Sequence, residues 1–130
     1  MNAPLQPSLA ARWSGHILGA FPCLMMFFSS AMKFTRPEGV PEHFAELGWS
    51  LPAITAMGFL EAACTVVYLI PRTAVLGAIL LTGYLGGGIA AHVRIGDMGV
   101  VLFPLTLGVL LWGGIYLRDP RLRALVPLRT

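Results

Sequence analysis

Four long apolar stretches constrain this chain more than any other feature of its sequence. They are residues 13–32, 49–70, 73–93 and 98–117, and the only charged residue within them is Glu61. Each is 20 to 22 residues long, and a helix needs about 20 apolar residues to cross the hydrocarbon core of a bilayer. Membrane-spanning strands would instead need about 10 residues of alternating polarity, which these stretches do not show. The pattern therefore predicts an all-α integral membrane protein.

The predicted fold is a four-helix antiparallel bundle that forms a single transmembrane domain over residues 1–130. The links between the second and third helices and between the third and fourth are short, so neighbouring helices run antiparallel. In the longer outer loop, residues 34–48, a proline opens and a glycine closes one or two helical turns. We expect these turns to lie over the mouth of the bundle. The spanning helices are predicted at about 13–33, 49–70, 73–94 and 98–117.

The composition excludes several other classes of protein. Only 12% of the residues are charged, which is about half the share found in soluble domains. A disordered chain is excluded because 56% of the residues are hydrophobic. The formal net charge is +3, but the nine basic residues are spread along the chain and form no stripe that could follow a phosphate backbone. We therefore expect the lipid bilayer as a partner, and no nucleic acid.

The basic residues are divided unequally between the two predicted membrane faces. Three lie on the face of the outer loop, namely Lys33, Arg36 and Arg94. Six lie on the face that carries both termini, namely Arg12, Arg72, Arg118, Arg121, Arg123 and Arg129. The positive-inside rule then makes both termini cytoplasmic, so the sequence predicts a multi-pass protein of the bacterial cytoplasmic (inner) membrane. The last four arginines form a basic tail that we expect to contact anionic lipid.

Glu61 is the residue that most needs a partner. A charged side chain near the bilayer centre costs at least about 2.5–3.5 kcal/mol, so we expect Glu61 to face the bundle interior and to bond to another helix. Tyr84 lies at nearly the same depth on the third helix and is the leading candidate. Helical spacing places Thr65 on the face of Glu61, and Gly88 and His92 on the face of Tyr84. These five residues predict a ligand cavity open toward the outer face; alternatively, Glu61 and Tyr84 only fix helix packing.

A second group of polar residues lies at the predicted outer mouth of the bundle. His92 is close to the end of the third helix, Arg94 follows it, and Lys33 lies at the same level on the first helix. Together they can gather an anionic or quinone headgroup. The alternative is that these long side chains only extend from the helix ends toward the membrane surface.

The sequence offers little support for a metal or haem site. His16 and His92 are expected near opposite membrane faces, about 25 Å apart along the bundle, so they cannot ligate one haem together. A single-histidine haem is compatible with the sequence but nothing requires it, and no metal site is predicted. Cys23 and Cys64 both lie within predicted helices, and we expect them to be unpaired thiols of low reactivity.

Glycines are dense on the third helix. Gly83 and Gly87 are four residues apart, a spacing of small residues that lets two helices approach closely. The simplest interpretation is packing within the bundle. The alternative is a homo-oligomer that forms through this glycine face.

Three segments of the sequence resemble the DoxX-like family of small four-helix membrane proteins. They are SSAMKF at 29–34, GFLE at 58–61 and, above all, GYLGGGIAAHVR at 83–94. The resemblance covers nearly the whole chain and makes Lys33, Glu61 and His92 the positions of interest. It implies a redox role, because relatives are associated with a thiosulfate:quinone oxidoreductase or with thiol-stress complexes. Since the chain has no cysteine-based redox motif, such a role would rely on a quinone or on a redox partner subunit.

Three functions are compatible with the sequence. The first is a quinone- or redox-linked membrane component that binds a lipophilic ligand in the predicted cavity, along the polar seam formed by Glu61, Thr65, Tyr84 and His92. The second is a membrane-embedded acid/base enzyme, such as an isomerase, with Glu61 as the acid or base and with Tyr84 and His92 polarising the substrate. The third is a structural or scaffold protein. The predicted ligand-binding residues are Lys33, Thr65, Gly88 and Arg94.

Overall fold

The computed structural model describes residues 6–128, and these residues form six helices and no strand. The helices are α1 (Leu9–Thr35), α2 (Val40–Glu46), α3 (Leu51–Leu69), α4 (Ala74–Arg94), α5 (Leu102–Arg118) and α6 (Pro120–Arg123). The predicted all-α fold is confirmed. Arg129, which belongs to the predicted basic tail, lies outside the described residues.

Four of these helices are strongly apolar. α1, α3 and α4 are each long and apolar enough to cross a membrane, whereas α5 is apolar but has only 17 residues. The prediction of a membrane protein built from apolar helices is therefore confirmed. The short helix expected within the outer loop is α2, which begins one residue before its proline.

Two helices begin four residues away from their predicted starts. α1 begins before residue 13, because Oγ of Ser8 caps it by accepting a 3.1 Å hydrogen bond from the backbone N–H of Ala11. α5 begins at Leu102 instead of at 98, and residues 98–101 form turns. Pro104 explains the later start, since a proline has no N–H and fits the first turn of a helix but not its interior.

The four long helices form a closed ring in the order α1, α3, α4, α5, and each packs against its two neighbours. Contacts near one end show the antiparallel arrangement: Gly19 of α1 lies against Tyr68 of α3, and Tyr68 donates a 2.7 Å hydrogen bond to the carbonyl oxygen of Leu111 in α5. We call this end, where α1 begins and α5 finishes, the terminal end. The opposite end, which carries α2 and the α4–α5 turn, is the loop end.

The close approach of α3 and α4 depends on one glycine. A Cβ added to Gly77 would overlap with the backbone of Tyr68. In contrast, nothing lies within 4 Å of the Cβ positions of Gly83 and Gly87. The expectation that these two glycines pack within the bundle is wrong, because the side of α4 that meets α3 carries Gly77 and leaves them facing outward. Pairing of two copies through this open glycine face stays a prediction.

Candidate functional site

A buried ion pair joins α1 to α3 between the middle of the bundle and its loop end. Nζ of Lys33 lies 2.7 Å from Oε2 of Glu61, and the two side chains are only 7% and 2% exposed. Glu61 thus points into the bundle, where a lone carboxylate would be costly. Its ion-pair partner is Lys33, whereas the sequence made Tyr84 the leading candidate. Tyr84 lies beside the carboxylate as a second neighbour.

The direction of helical side chains explains how Lys33, near the end of α1, reaches Glu61, in the middle of α3. Side chains lean toward the N-terminus of their own helix, so Lys33 leans into the bundle and Glu61 leans toward the loop end. Ser30 fixes the register of the two helices by donating a 2.7 Å hydrogen bond to the carbonyl oxygen of Gly58. A Cβ on Gly58 would lie only 3.2 Å from Cβ of Lys33, so this glycine leaves room for the crossing.

The ammonium group of Lys33 is enclosed on several sides. It donates a 2.6 Å hydrogen bond to Oγ of Ser29, and a longer contact of 3.4 Å joins it to the Ser29 carbonyl oxygen. The ring centroids of Phe44 and Tyr84 lie 5.7 and 5.8 Å from Nζ, where an aromatic face attracts a cation. Phe44 belongs to α2, so this short helix lies over the ion pair. Of the three N–H donors of the ammonium, two have short bonds and one has only the long contact.

Thr65 and Gly88 do not share a cavity with Glu61. Thr65 is fully buried, and its hydroxyl donates a 2.7 Å hydrogen bond to the backbone carbonyl oxygen of Glu61. Gly88 is exposed on the outside of α4, with open space around its Cβ position. The predicted cavity that joins both to Tyr84 and His92 is therefore wrong. Tyr84, Gly88 and His92 are spaced by four residues, whereas one helical turn has 3.6. Each step therefore rotates the position by about 40° around α4, and the row of residues turns away from α3.

A groove lies on the lateral surface of the bundle near its loop end, between α4 and the α2–α3 connection. Its volume is about 340 Å³, and Arg94 is the only predicted ligand-binding residue that lines it. The guanidinium group of Arg94 donates a hydrogen bond to the carbonyl oxygen of Leu47 and so holds the connection against α4. The other lining residues are Leu47, Gly48, Trp49, Gly87, Ala90 and Ala91.

His92 lies at the loop end, and its neighbours come from α2 and from the α4–α5 turn. Its ring stacks on that of His43 with centroids 5.3 Å apart, and its Nδ1 lies 3.4 Å from Oδ2 of Asp97. His16 lies at the terminal end, where its Nδ1 is 3.0 Å from Nη1 of Arg118. The two histidines therefore take part in separate clusters at opposite ends of the bundle.

Comparison with known proteins assigns this chain to a family. A family model described as the DoxX-like family matches residues 17–114, which is most of the chain. This chain belongs to the DoxX-like family. The matched segment includes Lys33, Glu61, Tyr84 and His92, so the ion pair and its surroundings lie within the family region. Comparisons with curated proteins and with solved structures gave no match.

The α1–α3 contact of this DoxX-like protein includes a residue that the sequence analysis did not assign to a site. Arg36 donates hydrogen bonds to the hydroxyl of Thr55 and, at 3.2 Å, to the carbonyl oxygen of Leu51. The signal was present in the sequence, since Ser30, Lys33 and Arg36 recur every three residues at the end of α1, where Arg36 is the C-cap. All three bond to α3, so this end of α1 is a polar contact surface.

Other reactive groups of this DoxX-like protein lie apart from one another. Among residues 6–128, no three His, Cys, Asp or Glu side chains come together in a way that could hold a metal ion. Cys23 and Cys64 are buried free thiols. The polar chemistry of the bundle interior is therefore centred on Lys33 and Glu61, with Tyr84 beside them.

Proposed function

We propose that this DoxX-like protein is a quinone-linked membrane component of a redox system, and that the quinone headgroup binds at Lys33. The observation that carries the proposal is the buried Lys33–Glu61 pair. Two charges are costly to remove from water, and apolar residues of similar size often stabilise a fold as well or better. A charged pair inside a membrane bundle therefore favours a functional role over a purely structural one.

The chemistry of a quinone headgroup fits the surroundings of Lys33. Quinone carbonyl oxygens accept hydrogen bonds. The third N–H of Lys33 can donate to such an oxygen, because its present contact, with the Ser29 carbonyl oxygen at 3.4 Å, is long and therefore weak. Tyr84 and Phe44 supply two aromatic faces for a planar ring. Because Phe44 covers the pair, the headgroup would enter by displacing this side chain while its apolar tail stays in the lipid.

Reduction of a quinone takes two electrons and two protons, and these come from different sources. The Lys33 ammonium can give one proton to a bound carbonyl oxygen, and Glu61, 2.7 Å away, can pass the second proton to Lys33 from the aqueous side. We assign the electrons to a redox partner subunit that would deliver them to the bound headgroup. The role of this chain is then to hold the headgroup and supply protons.

The same cluster supports a second candidate function, an acid/base enzyme that acts on a lipophilic substrate. A carboxylate, an ammonium and a phenol in contact are groups that can abstract and return a proton. His92 would take no direct part, since it stacks on His43 at the loop end. Turnover of a lipophilic ketone by the isolated protein, without any electron donor, would favour this function over the quinone site.

Binding of a short-chain quinone tests the first proposal. We expect decylubiquinone to bind the full chain in phosphatidylcholine nanodiscs, as measured by isothermal titration calorimetry. The double variant Lys33→Met/Glu61→Leu should bind at least about tenfold more weakly, because a hydrogen bond from a charged donor contributes about 1.5–3 kcal/mol. Replacing both partners by apolar residues preserves packing, so the loss would not reflect unfolding.

Thr106→Val is the matched control for this experiment. Thr106 is an exposed polar residue of α5 whose hydroxyl bonds only to its own helix, at the Leu102 carbonyl oxygen, so quinone affinity should stay unchanged. Equal affinity of the wild type and the double variant would contradict a headgroup site at Lys33. No binding to the wild type would contradict the quinone function itself.

We also propose that both termini face the cytoplasm of a bacterial cell and that α2 faces the periplasm, because most of the arginines lie at the terminal end. In a background in which Cys23 and Cys64 are replaced by alanine, Glu42→Cys should react with a membrane-impermeant thiol reagent in intact cells. Arg123→Cys should react only after the cells are permeabilised. Labelling of both positions from the same side would contradict this topology.

A further inference from the structure

A second cavity lies at the terminal end, at the opposite end of the bundle from α2. It has a volume of about 480 Å³ and lies between the α3–α4 connection and the segment around α6. Its lining includes Arg72, Val75, Asp119, Arg121, Leu122 and Leu125. The cavity thus combines two guanidinium groups, one carboxylate and apolar walls.

The two cations of this cavity are available to a ligand. Neither the Arg72 nor the Arg121 guanidinium group makes a hydrogen bond or an ion pair within residues 6–128. The neighbouring arginines differ, because Arg118 bonds to His16 and Arg123 donates to backbone carbonyl oxygens of α5. Arg72 and Arg121 therefore form a basic pair that residues 6–128 leave without a bonding partner.

The carboxylate of the cavity is held in place by local structure. Oδ1 of Asp119 caps α6 by accepting a 2.9 Å hydrogen bond from the backbone N–H of Arg121. Two guanidinium groups against one carboxylate leave one net positive charge, which matches a single phosphodiester. The second carboxylate oxygen can accept a hydrogen bond from a hydroxyl of the same headgroup.

The apolar walls continue from the cavity along the outside of the bundle. Leu122 is buried and anchors α6, while Val75 lies in the first turn of α4. Ile79 lies one turn further on the same face of α4 and is 55% exposed. A ligand held by Arg72 and Arg121 would therefore have its apolar part directed along α4, which indicates an amphiphile rather than a small soluble anion.

We propose that this cavity binds the headgroup of an anionic phospholipid. The phosphate lies between Arg72 and Arg121, the headgroup hydroxyls face Asp119, and one acyl chain runs along Val75 and Ile79. Clustered basic residues at the membrane surface beside a spanning helix are typical sites for such headgroups. Phosphatidylglycerol has a net negative charge and headgroup hydroxyls, whereas phosphatidylcholine has no net charge, because its choline offsets the phosphate, and no headgroup hydroxyl.

Native mass spectrometry of the full chain tests the site. Protein released from nanodiscs of equal phosphatidylglycerol and phosphatidylcholine content should retain one phosphatidylglycerol molecule in preference. Loss of one arginine near a membrane surface corresponds to about a fivefold change, so Arg72→Gln/Arg121→Gln should lower this retention about 25-fold. Arg12→Gln removes one positive charge, half of what the double variant removes, from an exposed position of α1 at the same end and outside the cavity, and it should leave retention unchanged.

Three results would overturn the proposal. A loss of about fivefold in Arg12→Gln, the share expected for one arginine, would mean that the lipid responds only to net charge. Equal retention of phosphatidylcholine would mean that neither the arginines nor Asp119 select the headgroup. If soluble glycerol phosphate bound to protein in phosphatidylcholine nanodiscs as strongly as phosphatidylglycerol does, the cavity would be a site for a free phosphate compound and not for a lipid.

Discussion

Lys33→Met is expected to lower the free energy of unfolding by about 3–5 kcal/mol, because it leaves the carboxylate of Glu61 buried without its partner. Glu61 is 2% exposed, so water cannot take the place of the ammonium group. Glu61→Leu should cost a similar amount by leaving the ammonium unpaired. Unfolding by dodecyl sulfate in mixed micelles, followed by circular dichroism, measures these changes.

The double variant Lys33→Met/Glu61→Leu is the control that separates the loss of a pair from the loss of two side chains. We expect it to recover to within about 1–2 kcal/mol of the wild type, since apolar residues of similar size replace a buried pair at little cost. A large interaction energy in this cycle reports direct contact between the two residues. If the two single losses simply added up in the double variant, the observed ion pair would be contradicted.

Gly77→Ala is expected to give the second large effect, a loss of about 1–3 kcal/mol or more in the same unfolding measurement. The added methyl group would overlap with the backbone of Tyr68, and a backbone cannot move aside as a flexible side chain can. Relief of the overlap requires α3 and α4 to separate. That movement would also disturb the hydrogen bond from Tyr68 to Leu111.

Gly87→Ala provides the comparison on the same helix. Nothing lies within 4 Å of its Cβ position, so the new methyl group meets no neighbour in the chain. Alanine favours a helix over glycine by up to about 1 kcal/mol, so the variant should be neutral or slightly more stable. Equal destabilisation by the two substitutions would contradict the assignment of Gly77 to the α3–α4 contact.

The helices of this protein could be predicted because the length and continuity of an apolar stretch determine whether it can span a bilayer. The short α2 could be predicted for a different reason, since Pro41 and Gly48 bound a few turns of helix in an otherwise polar loop. The two largest boundary differences, at the starts of α1 and α5, arose from local signals that were present in the sequence. Ser8 is a strong helix cap, and Pro104 cannot lie in a helix interior.

The partner of Glu61 could not be found from depth alone. A rise of 1.5 Å per residue locates each Cα, but a lysine side chain extends well beyond its Cα and leans toward the start of its helix. Lys33 therefore meets Glu61 although their backbones lie at different levels. Gly88 was wrongly placed in the predicted cavity for a related reason. Helical spacing shows that Gly88 shares a face with Tyr84, but it does not show which side of α4 faces α3.

The polar end of α1 also bears on how the chain enters a membrane. Alone, α3 is a poorer segment for insertion, because Glu61 costs at least about 2.5–3.5 kcal/mol near the bilayer centre. α1 is synthesised before α3; it carries Ser30 and Lys33 and is followed directly by Arg36, and all three bond to α3 in the folded protein. We therefore expect the order of helices along the chain to be an order of assembly, in which α1 enters the bilayer first and serves as the template against which α3 inserts.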